Sequence, residues 1–198
     1  RVAETIAEEA RRASAELARV RGPFPAWKVS DLAAGGGPPL RNAQLTSIAP
    51  TGTISIIAGT SAGIEPMFAI SYLRNVLDQR LTEANPAFER LARDRGFYSE
   101  ELIAEIARTG GVRDNPAVPE DVRRAFVTAL ELSPEAHLQM QAAFQRHTDA
   151  AVAKTVNLPA SATVDEVEAV YLRAWELGVK GITVYRYGSK PGQVLTFL

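Results

Sequence analysis

The residues whose types and spacing best suit chemistry lie in a short turn rich in hydroxyl groups. An apolar run ends at Pro50, and the sequence Thr51-Gly52-Thr53-Ile54-Ser55 leads from it into a second apolar segment. Such a turn exposes backbone N–H groups and three hydroxyls at the start of a helix, an arrangement that suits a phosphate group. The glycine lets the backbone approach a ligand closely. An ordinary helix cap is the alternative interpretation, because Ser and Thr are common at that position.

Three further polar side chains are candidates for binding or positioning a ligand. Glu65 lies in a loop before a predicted strand, where it could orient a ligand hydroxyl or a partner side chain, or accept backbone N–H bonds. Lys154 and Asn157 flank a short predicted strand, and α/β folds bind ligands at strand ends. Alternatively, Asn157 bonds the loop backbone before Pro159. The residue types leave both interpretations open.

The sequence provides few ligands for a metal ion. Its two histidines, His137 and His147, fall in one predicted helix and lie about 15 Å apart along the helix axis, too far to share a metal. We therefore expect both to be surface or hydrogen-bonding groups. Cysteine is absent, which excludes disulfides, Cys-ligated zinc and a thiol nucleophile within these residues. No metal site is predicted.

Composition and charge limit which classes of partner the chain is expected to bind. The formal net charge of -1 argues against a broad electrostatic surface for nucleic acid. No apolar run approaches the roughly 20 residues needed to span a bilayer, and no basic-then-apolar leader opens the chain. We therefore expect a cytoplasmic protein without a nucleic-acid or membrane partner. The 198 residues suit one domain or a large part of one, and a first residue of Arg1 leads us to expect a longer parent chain.

The first third of the chain predicts one helix, a loop and two strands. Residues 3 to 21 are rich in Ala, Glu and Arg, which favours a helix that ends at Gly22-Pro23. Residues 22 to 40 contain many Pro and Gly residues and predict an irregular loop. Gln44 to Ala49 predicts a buried strand, and Met67 to Leu73 predicts a second one.

The middle of the chain predicts helices with clear start signals. Residues 85 to 109 predict two short helices, and Ser99 is a good N-cap for the second. Residues 120 to 130 predict another helix. Ser133 as N-cap and Pro134 as first helical residue open a long helix that we expect to end near Ala150.

The C-terminal part has the clearest α/β pattern. Lys154 to Leu158 predicts a short strand, and Thr163 caps a helix with apolar spacing that ends at Gly178. Gly181 to Tyr185 then predicts another strand. Strand, helix and strand form a βαβ unit, which implies a parallel sheet covered by helices. We expect Tyr185 and Arg186 to lie at the end of a buried parallel strand.

Several of these segments, in this order, resemble the C-terminal part of the large subunit of ribonucleotide reductase, above all its adenosylcobalamin-dependent (class II) branch. The most specific segments in combination are Ala49-Pro50-Thr51-Gly52-Thr53-Ile54-Ser55 and Lys180-Gly181-Ile182-Thr183-Val184-Tyr185-Arg186. His147-Thr148-Asp149 and Lys154-Thr155-Val156-Asn157-Leu158-Pro159 match as well. The similarity extends from about residue 40 to near the end.

The resemblance implies a fold, a division of the chain and a binding site. The family has a ten-stranded α/β barrel made from two half-barrels, so residues 40–198 would form a helix-rich part of the second half-barrel. Residues 1–39 would form an N-terminal helix and an irregular linker. The resemblance further implies that the phosphates of the substrate are bound by Pro50, Thr51, Gly52, Thr53 and Ser55.

The resemblance also implies what this chain lacks. The family forms a thiyl radical on one cysteine and draws electrons from two more, whereas this chain has no cysteine. We therefore expect no catalytic residue here and no activity from the chain alone. Adenosylcobalamin is implied for the complete enzyme, and no cofactor is expected on this segment. The implied partners are a ribonucleotide and the remainder of the catalytic domain, and an exposed apolar sheet edge also allows a homodimer.

Two places depart from the patterns of related enzymes. Tyr187 stands where the family usually carries an Asp, so we assign it no role. Thr183 and Val184 stand where enzymes with a separate radical-generating subunit carry adjacent tyrosines, which fits a radical generated by cobalamin. Two alternatives to the reductase remain open, a stand-alone nucleotide-phosphate-binding domain and an assembly module that uses the helices of residues 85 to 130.

Overall fold

The structure is a computed structural model that describes residues 1–76, 79–189 and 195–196. The helices of these ranges are α1 (Val2–Arg21), α2 (Asp31–Ala34), α3 (Gly52–Ala58), α4 (Pro86–Asp94), α5 (Glu100–Thr109), α6 (Glu120–Ala125), α7 (Pro134–Gln145) and α8 (Val164–Glu176). The strands are β1 (Ser71–Val76), β2 (Gln79–Ala84), β3 (Thr155–Leu158), β4 (Thr183–Arg186) and β5 (Leu195–Thr196). β1 pairs antiparallel with β2 and β5, and β3 pairs parallel with β4. Within the described ranges, no helix has both the length and the apolar character needed to cross a membrane.

Three predicted helix starts are confirmed by their capping side chains. Ser99 accepts a backbone N–H of α5, and Ser133 accepts one of α7, where Pro134 is the first helical residue. Thr163 and Glu166 form a capping box at α8, since the Thr163 hydroxyl accepts the Glu166 N–H and the Glu166 carboxylate accepts the Thr163 N–H at 2.7 Å. Each cap satisfies N–H groups that a helix cannot pair internally.

The predicted βαβ unit is confirmed. β3 and β4 run parallel with Thr155 opposite Thr183, and α8 connects them. Apolar side chains of α7, α8, β3 and the loop between β3 and α8 form a shared core, namely Leu138, Val156, Leu158, Ala162, Val170 and Ala174. β4 is less buried than expected, because Thr183 and Arg186 are exposed. Among the residues described, β4 has a neighbouring strand on one edge alone, which explains this exposure.

Two buried glutamines of α7 hold the segments that lead into the parallel strands. Gln141 donates through Nε2 to the carbonyl oxygens of Val152, at 3.0 Å, and Gly181, at 2.7 Å. Gln145 bonds four backbone groups, those of Thr148, Ala150, Val152 and Lys180. Because a buried backbone group must be hydrogen-bonded, these amides fix where the strand segments lie against the helix.

A second core joins α4, α5 and α6 to the segment before β1. Its buried members are Ile70, Phe88, Ala92, Leu102, Ile103, Ile106, Val112, Val118 and Val122. The ring of Phe88 meets Phe97 and Phe126 edge-on, with centroids 6.1 and 5.2 Å apart. Edge-on pairs of this kind add to the stability gained from burial.

The two strands predicted in the first third of the chain differ from those observed. Gln44 to Ala49 is not a buried strand, because Ile48 alone forms a bridge, parallel to Val152, and the segment is half-buried or exposed. Within the described residues it has a strand partner on one side only, so it cannot be covered as an inner strand is. The strand predicted at Met67 to Leu73 begins at Ser71, and its pairing is antiparallel.

Several predicted boundaries are also corrected. The segment from 22 to 40 contains α2, capped by Ser30, in place of a wholly irregular loop. The helix predicted for residues 120 to 130 ends at Ala125, and α7 ends at Gln145 rather than near Ala150. His147 therefore lies outside the helix that carries His137. The division of the chain at residue 39 stays a prediction.

Candidate functional site

The candidate phosphate loop, residues 50–55, runs from Pro50 into the first turn of α3. The Ser55 N–H donates to the Thr51 carbonyl oxygen at 2.9 Å, which closes this turn. The backbone N–H groups of the three residues before Ser55 lie in the first turn, where a helix offers them no acceptor. Gly52 and Thr53 are exposed. The loop therefore carries backbone donors at an exposed position.

Two adjacent residues give this loop its shape. Thr51 has a φ of +51°, in the left-handed region, and it is the one residue other than glycine found there among those described. A β-branched residue in that region is strained. Gly52 is not in the left-handed region, and a Cβ added to it would meet no atom within 4 Å. The space beside the Gly52 backbone is therefore open to a ligand.

The hydroxyl groups of the loop differ in their availability. Ser55 is 7% exposed, and its Oγ donates to the Gly52 carbonyl oxygen at 2.8 Å. Its hydrogen therefore stabilises the turn rather than facing solvent. The Thr53 side chain stands on the exposed side, and Thr51 is half-buried.

The chain reaches the candidate phosphate loop at the carboxyl end of a short parallel ladder. Ile48 bridges to Val152 in parallel orientation. The Ala153 N–H donates to the Ile48 carbonyl oxygen at 2.9 Å, and the Ala150 N–H donates to the Thr46 carbonyl oxygen at 3.0 Å. The candidate loop thus follows a parallel ladder, at the end where α/β folds bind their ligands.

The chain leaves α3 through a return segment, residues 59–66. Gly63 has a φ of +55°, and a Cβ there would lie 3.3 Å from the Ala49 carbonyl oxygen. A side chain at Gly63 would be both strained and crowded, so glycine is required for this close approach. The return segment therefore lies against the residues that precede Pro50.

Glu65 joins the return segment to the start of β3. Its Oε1 accepts the Thr155 N–H at 2.6 Å, and its Oε2 accepts a hydrogen bond from Lys154 Nζ at 2.8 Å. Lys154 Nζ also donates to the Thr155 carbonyl oxygen at 2.9 Å and to His137 Nδ1 at 2.8 Å. The Lys154 side chain is 1% exposed and that of Glu65 25%. We call Glu65, His137 and Lys154 the buried ionic cluster.

The contacts of His137 determine its protonation. Its Nε2 lies 2.9 Å from the Ala129 carbonyl oxygen, which can only accept, so Nε2 carries the hydrogen and Nδ1 accepts from Lys154. Burial, and next the charge of Lys154, lower the pKa of His137 below its ordinary value of 6.5. The imidazole is therefore neutral at pH 7, and it orients the ammonium group without adding charge.

The structure resolves the alternatives for the other predicted residues. Glu65 accepts a backbone N–H and also orients a partner side chain, Lys154. Lys154 does not line an open pocket, since Glu65 and His137 enclose its ammonium group. Asn157 Nδ2 makes a long contact, 3.5 Å, with the Thr155 carbonyl oxygen rather than bonding the loop before Pro159.

No metal site is assembled among the described residues, and the two cavities found there lie away from the candidate phosphate loop. Within the described ranges, no group of three His, Asp or Glu side chains is arranged to hold a metal ion. Two cavities, of about 310 and 680 Å³, border α1, and residues 145–149 line the larger one. Neither is lined by residues 50–55.

Comparison with known families decides what kind of domain this is. Residues 34–185 match the family model for the barrel domain of ribonucleotide reductase. The chain belongs to this family. The match spans the candidate phosphate loop, the buried ionic cluster and the βαβ unit, and the predicted partial α/β barrel is confirmed.

Named relatives of this reductase segment are much longer proteins. The chain is 61% identical over 197 residues to the vitamin B12-dependent ribonucleoside-diphosphate reductase of Mycobacterium tuberculosis (strain ATCC 25618 / H37Rv), covering 100% of this chain and 28% of that protein. It is 48% identical over 197 residues to the protein of the same name from Thermoplasma acidophilum, covering 99% of this chain and 25% of that protein. The chain thus spans about a quarter of the length of these curated relatives. Because the first match covers the whole chain, residues 1–39 also have a counterpart in a reductase.

A solved reductase has the same fold. The class Id ribonucleotide reductase alpha subunit of Actinobacillus ureae superposes with a TM-score of 0.75 at 27% sequence identity. The superposition covers 94% of this chain and 33% of that subunit. Most of the segment therefore has the fold of part of that alpha subunit.

The sequence pattern did not predict the buried ionic cluster as a unit. It singled out Glu65 and Lys154 separately, but the two are 89 positions apart and no spacing rule joins them. The signal available was a lysine directly before an apolar strand, because a buried ammonium group needs a paired acceptor. His137 gave a weaker signal, as a polar residue beside Leu138 on the inner face of α7.

Proposed function

We propose that this chain is part of the catalytic subunit of a vitamin B12-dependent ribonucleoside-diphosphate reductase, with the candidate phosphate loop binding the phosphates of the ribonucleotide. The observation that supports the first part is 61% identity over the whole chain to a protein of that name. The complete enzyme would convert ribonucleotides to deoxyribonucleotides by radical chemistry with adenosylcobalamin. We propose the cytoplasm as its compartment.

The geometry of the candidate phosphate loop supports the second part. The first turn of α3 directs backbone N–H groups outward, and the backbone at Gly52 has open space beside it. Bonds from N–H groups to a charged phosphate are about twice as strong as neutral ones. With seven residues α3 has a small dipole, so the N–H groups and the Thr51 and Thr53 hydroxyls would supply most of the affinity.

Other parts of the enzyme must supply the reacting groups. The chain has no cysteine, so the thiyl radical and the reducing thiols would come from the remainder of the catalytic domain. Among the described residues, His137 is not available as a metal ligand, because both of its ring nitrogens are hydrogen-bonded. We therefore assign neither a catalytic residue nor a cofactor ligand to this segment.

The test of the phosphate assignment uses the complete reductase with Gly52→Val. A side chain at this position would project into open space, so the fold should persist, but the backbone would be shielded from phosphate. We expect the dissociation constant for the nucleoside diphosphate to rise at least about tenfold, which corresponds to about 1.4 kcal/mol. Thr51→Ala should cost about 1 kcal/mol, the scale of one hydrogen bond.

The matched control is Gly37→Val, a valine at another exposed loop glycine outside the candidate loop. Its nucleotide affinity should equal that of the wild type. Binding of the parent ribonucleoside, which has no phosphate, should be unchanged in Gly52→Val. Wild-type diphosphate affinity in a folded Gly52→Val enzyme would show that residues 50–55 are not the phosphate site.

The proposal also predicts that the isolated chain is inactive. Supplied with adenosylcobalamin, a reductant and a ribonucleotide, the pure chain should form no deoxyribonucleotide, because it contains no thiol to carry the radical. Product analysis by chromatography tests this, with the complete reductase as positive control. Deoxyribonucleotide formation by the isolated chain would contradict the proposal.

A further inference from the structure

We propose that the buried ionic cluster positions the candidate phosphate loop, so that Glu65 and Lys154 control affinity for the phosphate end of the nucleotide without touching it. This inference rests on the proposed function of residues 50–55. Neither residue carries the reaction, and both would act as positioning residues.

α3 is too short to fix its own orientation. It has seven residues, and isolated helices of this length are unstable in water. Two of its apolar side chains, Ile54 and Ile57, are 62% and 80% exposed, so these two contribute little packing. The direction of its first-turn N–H groups must therefore be set where the chain enters and leaves the loop.

Both ends of the loop are held by the same short segment, residues 153–155, which leads into β3. The Ala153 N–H bonds the Ile48 carbonyl oxygen before the loop, and the Thr155 N–H bonds the Glu65 carboxylate after it. The two donors are two residues apart in the sequence. Residues 48 and 65 are therefore both held at the start of β3, which closes the chain between them into a loop.

The contact that holds the second end of the loop, at Glu65, depends on an ion pair with Lys154. A carboxylate that accepted only the Thr155 N–H could rotate about its side-chain bonds, and Lys154 removes this freedom by bonding the other oxygen. Lys154 is itself fixed by His137 Nδ1 and the Thr155 carbonyl oxygen, so the ammonium group has three acceptors. A buried charge requires such pairing. The return segment is thereby tied to α7 as well as to β3.

The experiment compares two ligands in the complete reductase. Dissociation constants are measured for a ribonucleoside diphosphate and for its parent ribonucleoside in the wild type, Glu65→Gln, Lys154→Met and the double variant. The control is Glu135→Gln, which removes one partner of an exposed ion pair with Arg173, on α7 and α8. Circular dichroism confirms that each variant is folded.

A positioning role predicts a difference between the ligands. Glu65→Gln should weaken diphosphate binding about tenfold or more, while ribonucleoside binding changes less than about twofold. Lys154→Met and the double variant should show the same difference between the ligands, because each removes the ion pair that fixes the position of residue 65. Glu135→Gln should match the wild type for both ligands.

Two results would overturn the proposal. Equal weakening of both ligands would mean that the cluster only supports the fold, and wild-type diphosphate affinity in Glu65→Gln would mean that it does not position the loop. If Glu65→Gln fails to fold, the double variant provides the same ligand comparison. Gly52→Val separates this failure from failure of the proposed function: if it weakens diphosphate binding while the cluster variants do not, only the positioning role is wrong.

Discussion

In the buried ionic cluster, the ammonium group of Lys154 has three acceptors and both oxygens of Glu65 accept hydrogen bonds. In the candidate phosphate loop, the first-turn N–H groups have no acceptor within the helix, and the backbone at Gly52 faces open space. The two regions are joined through the return segment. The buried ionic cluster can hold a fixed geometry because its polar groups are hydrogen-bonded, whereas the candidate phosphate loop keeps backbone donors that its helix does not pair.

The largest expected effect on stability is that of Lys154→Met. Removing one partner of a buried ion pair leaves an uncompensated charge, which typically costs 3 to 5 kcal/mol, and the partial exposure of Glu65 places this case at about 3 kcal/mol. Urea denaturation should show this loss of unfolding free energy. Thr53→Ala, in the exposed candidate phosphate loop, should change the unfolding free energy by less than about 0.5 kcal/mol. If both variants lowered the unfolding free energy equally, the buried ionic cluster would contribute no more to stability than the candidate phosphate loop does.

The second prediction concerns the response of the cluster to pH. The pKa of His137 is lower in the folded chain than in the unfolded chain, so the unfolded state binds more protons below pH 6.5. The contribution of neutral His137 to the unfolding free energy is therefore present above that pH. It should be lost as the pH decreases from about 7.5 to about 5.5, a range in which carboxylates remain ionised. Urea denaturation midpoints measured across this pH range test whether stability falls as the pH decreases.

The matched variants for this pH dependence are His137→Gln and His147→Gln. A glutamine at 137 can donate to Ala129 and accept from Lys154 but does not titrate, so this part of the pH dependence should disappear. His147 lies outside the cluster, and its replacement should leave the dependence in place. An unchanged slope in His137→Gln would show that the proton binds elsewhere.

A smaller effect is expected from Ser55→Ala. The Ser55 hydroxyl donates to the Gly52 carbonyl oxygen, so its loss should reduce the unfolding free energy by about 1 kcal/mol. Its effect on nucleotide affinity should be smaller than that of Thr51→Ala, because its hydrogen is already used within the turn. Urea denaturation and calorimetric titration of the complete reductase measure the two quantities. A larger affinity loss for Ser55→Ala would mean that this hydroxyl turns to the phosphate.

A small effect of opposite sign is expected from Thr51→Gly. The left-handed φ of Thr51 is strained, and glycine removes the strain at the cost of a more flexible unfolded chain. We expect the unfolding free energy to rise by about 0.5 kcal/mol while nucleotide affinity falls with the lost hydroxyl. Thr51→Ala is the control, since it lacks the hydroxyl but keeps a Cβ. A gain in stability for Thr51→Ala as large as that for Thr51→Gly would show that the strain does not come from the Cβ that alanine keeps.

Much of the fold could be predicted from local sequence signals. Ser99, Ser133 and Thr163 mark helix starts because their side chains bond the next turn, and this chemistry is independent of the rest of the chain. The βαβ unit was predictable for a similar reason, since its strands and helix are consecutive. The segment from Gln44 to Ala49 was not, because an apolar run forms a buried strand only when both of its edges are covered.

The candidate site also has a part that local sequence signals predict and a part that depends on distant residues. The candidate phosphate loop was visible because its residues are adjacent, from Pro50 to Ser55. The buried ionic cluster was not, because Glu65 and Lys154 are 89 positions apart and meet only after the chain between them has folded, and because His137 comes from a third element. The early end of α7 was also hidden, since Gln145 bonds backbone groups beyond the helix.

The ladder beside Ile48 has a consequence for synthesis of the chain on the ribosome. The Leu45 N–H donates to the Asp149 carboxylate, a contact between residues 104 positions apart, and residues 46–48 bond residues 150–153. The candidate phosphate loop therefore leaves the ribosome well before the strand that holds both of its ends. Contacts so distant in sequence close a long loop and form late. A nascent chain ending before residue 150 would thus contain every residue of the loop and still lack the means to arrange them.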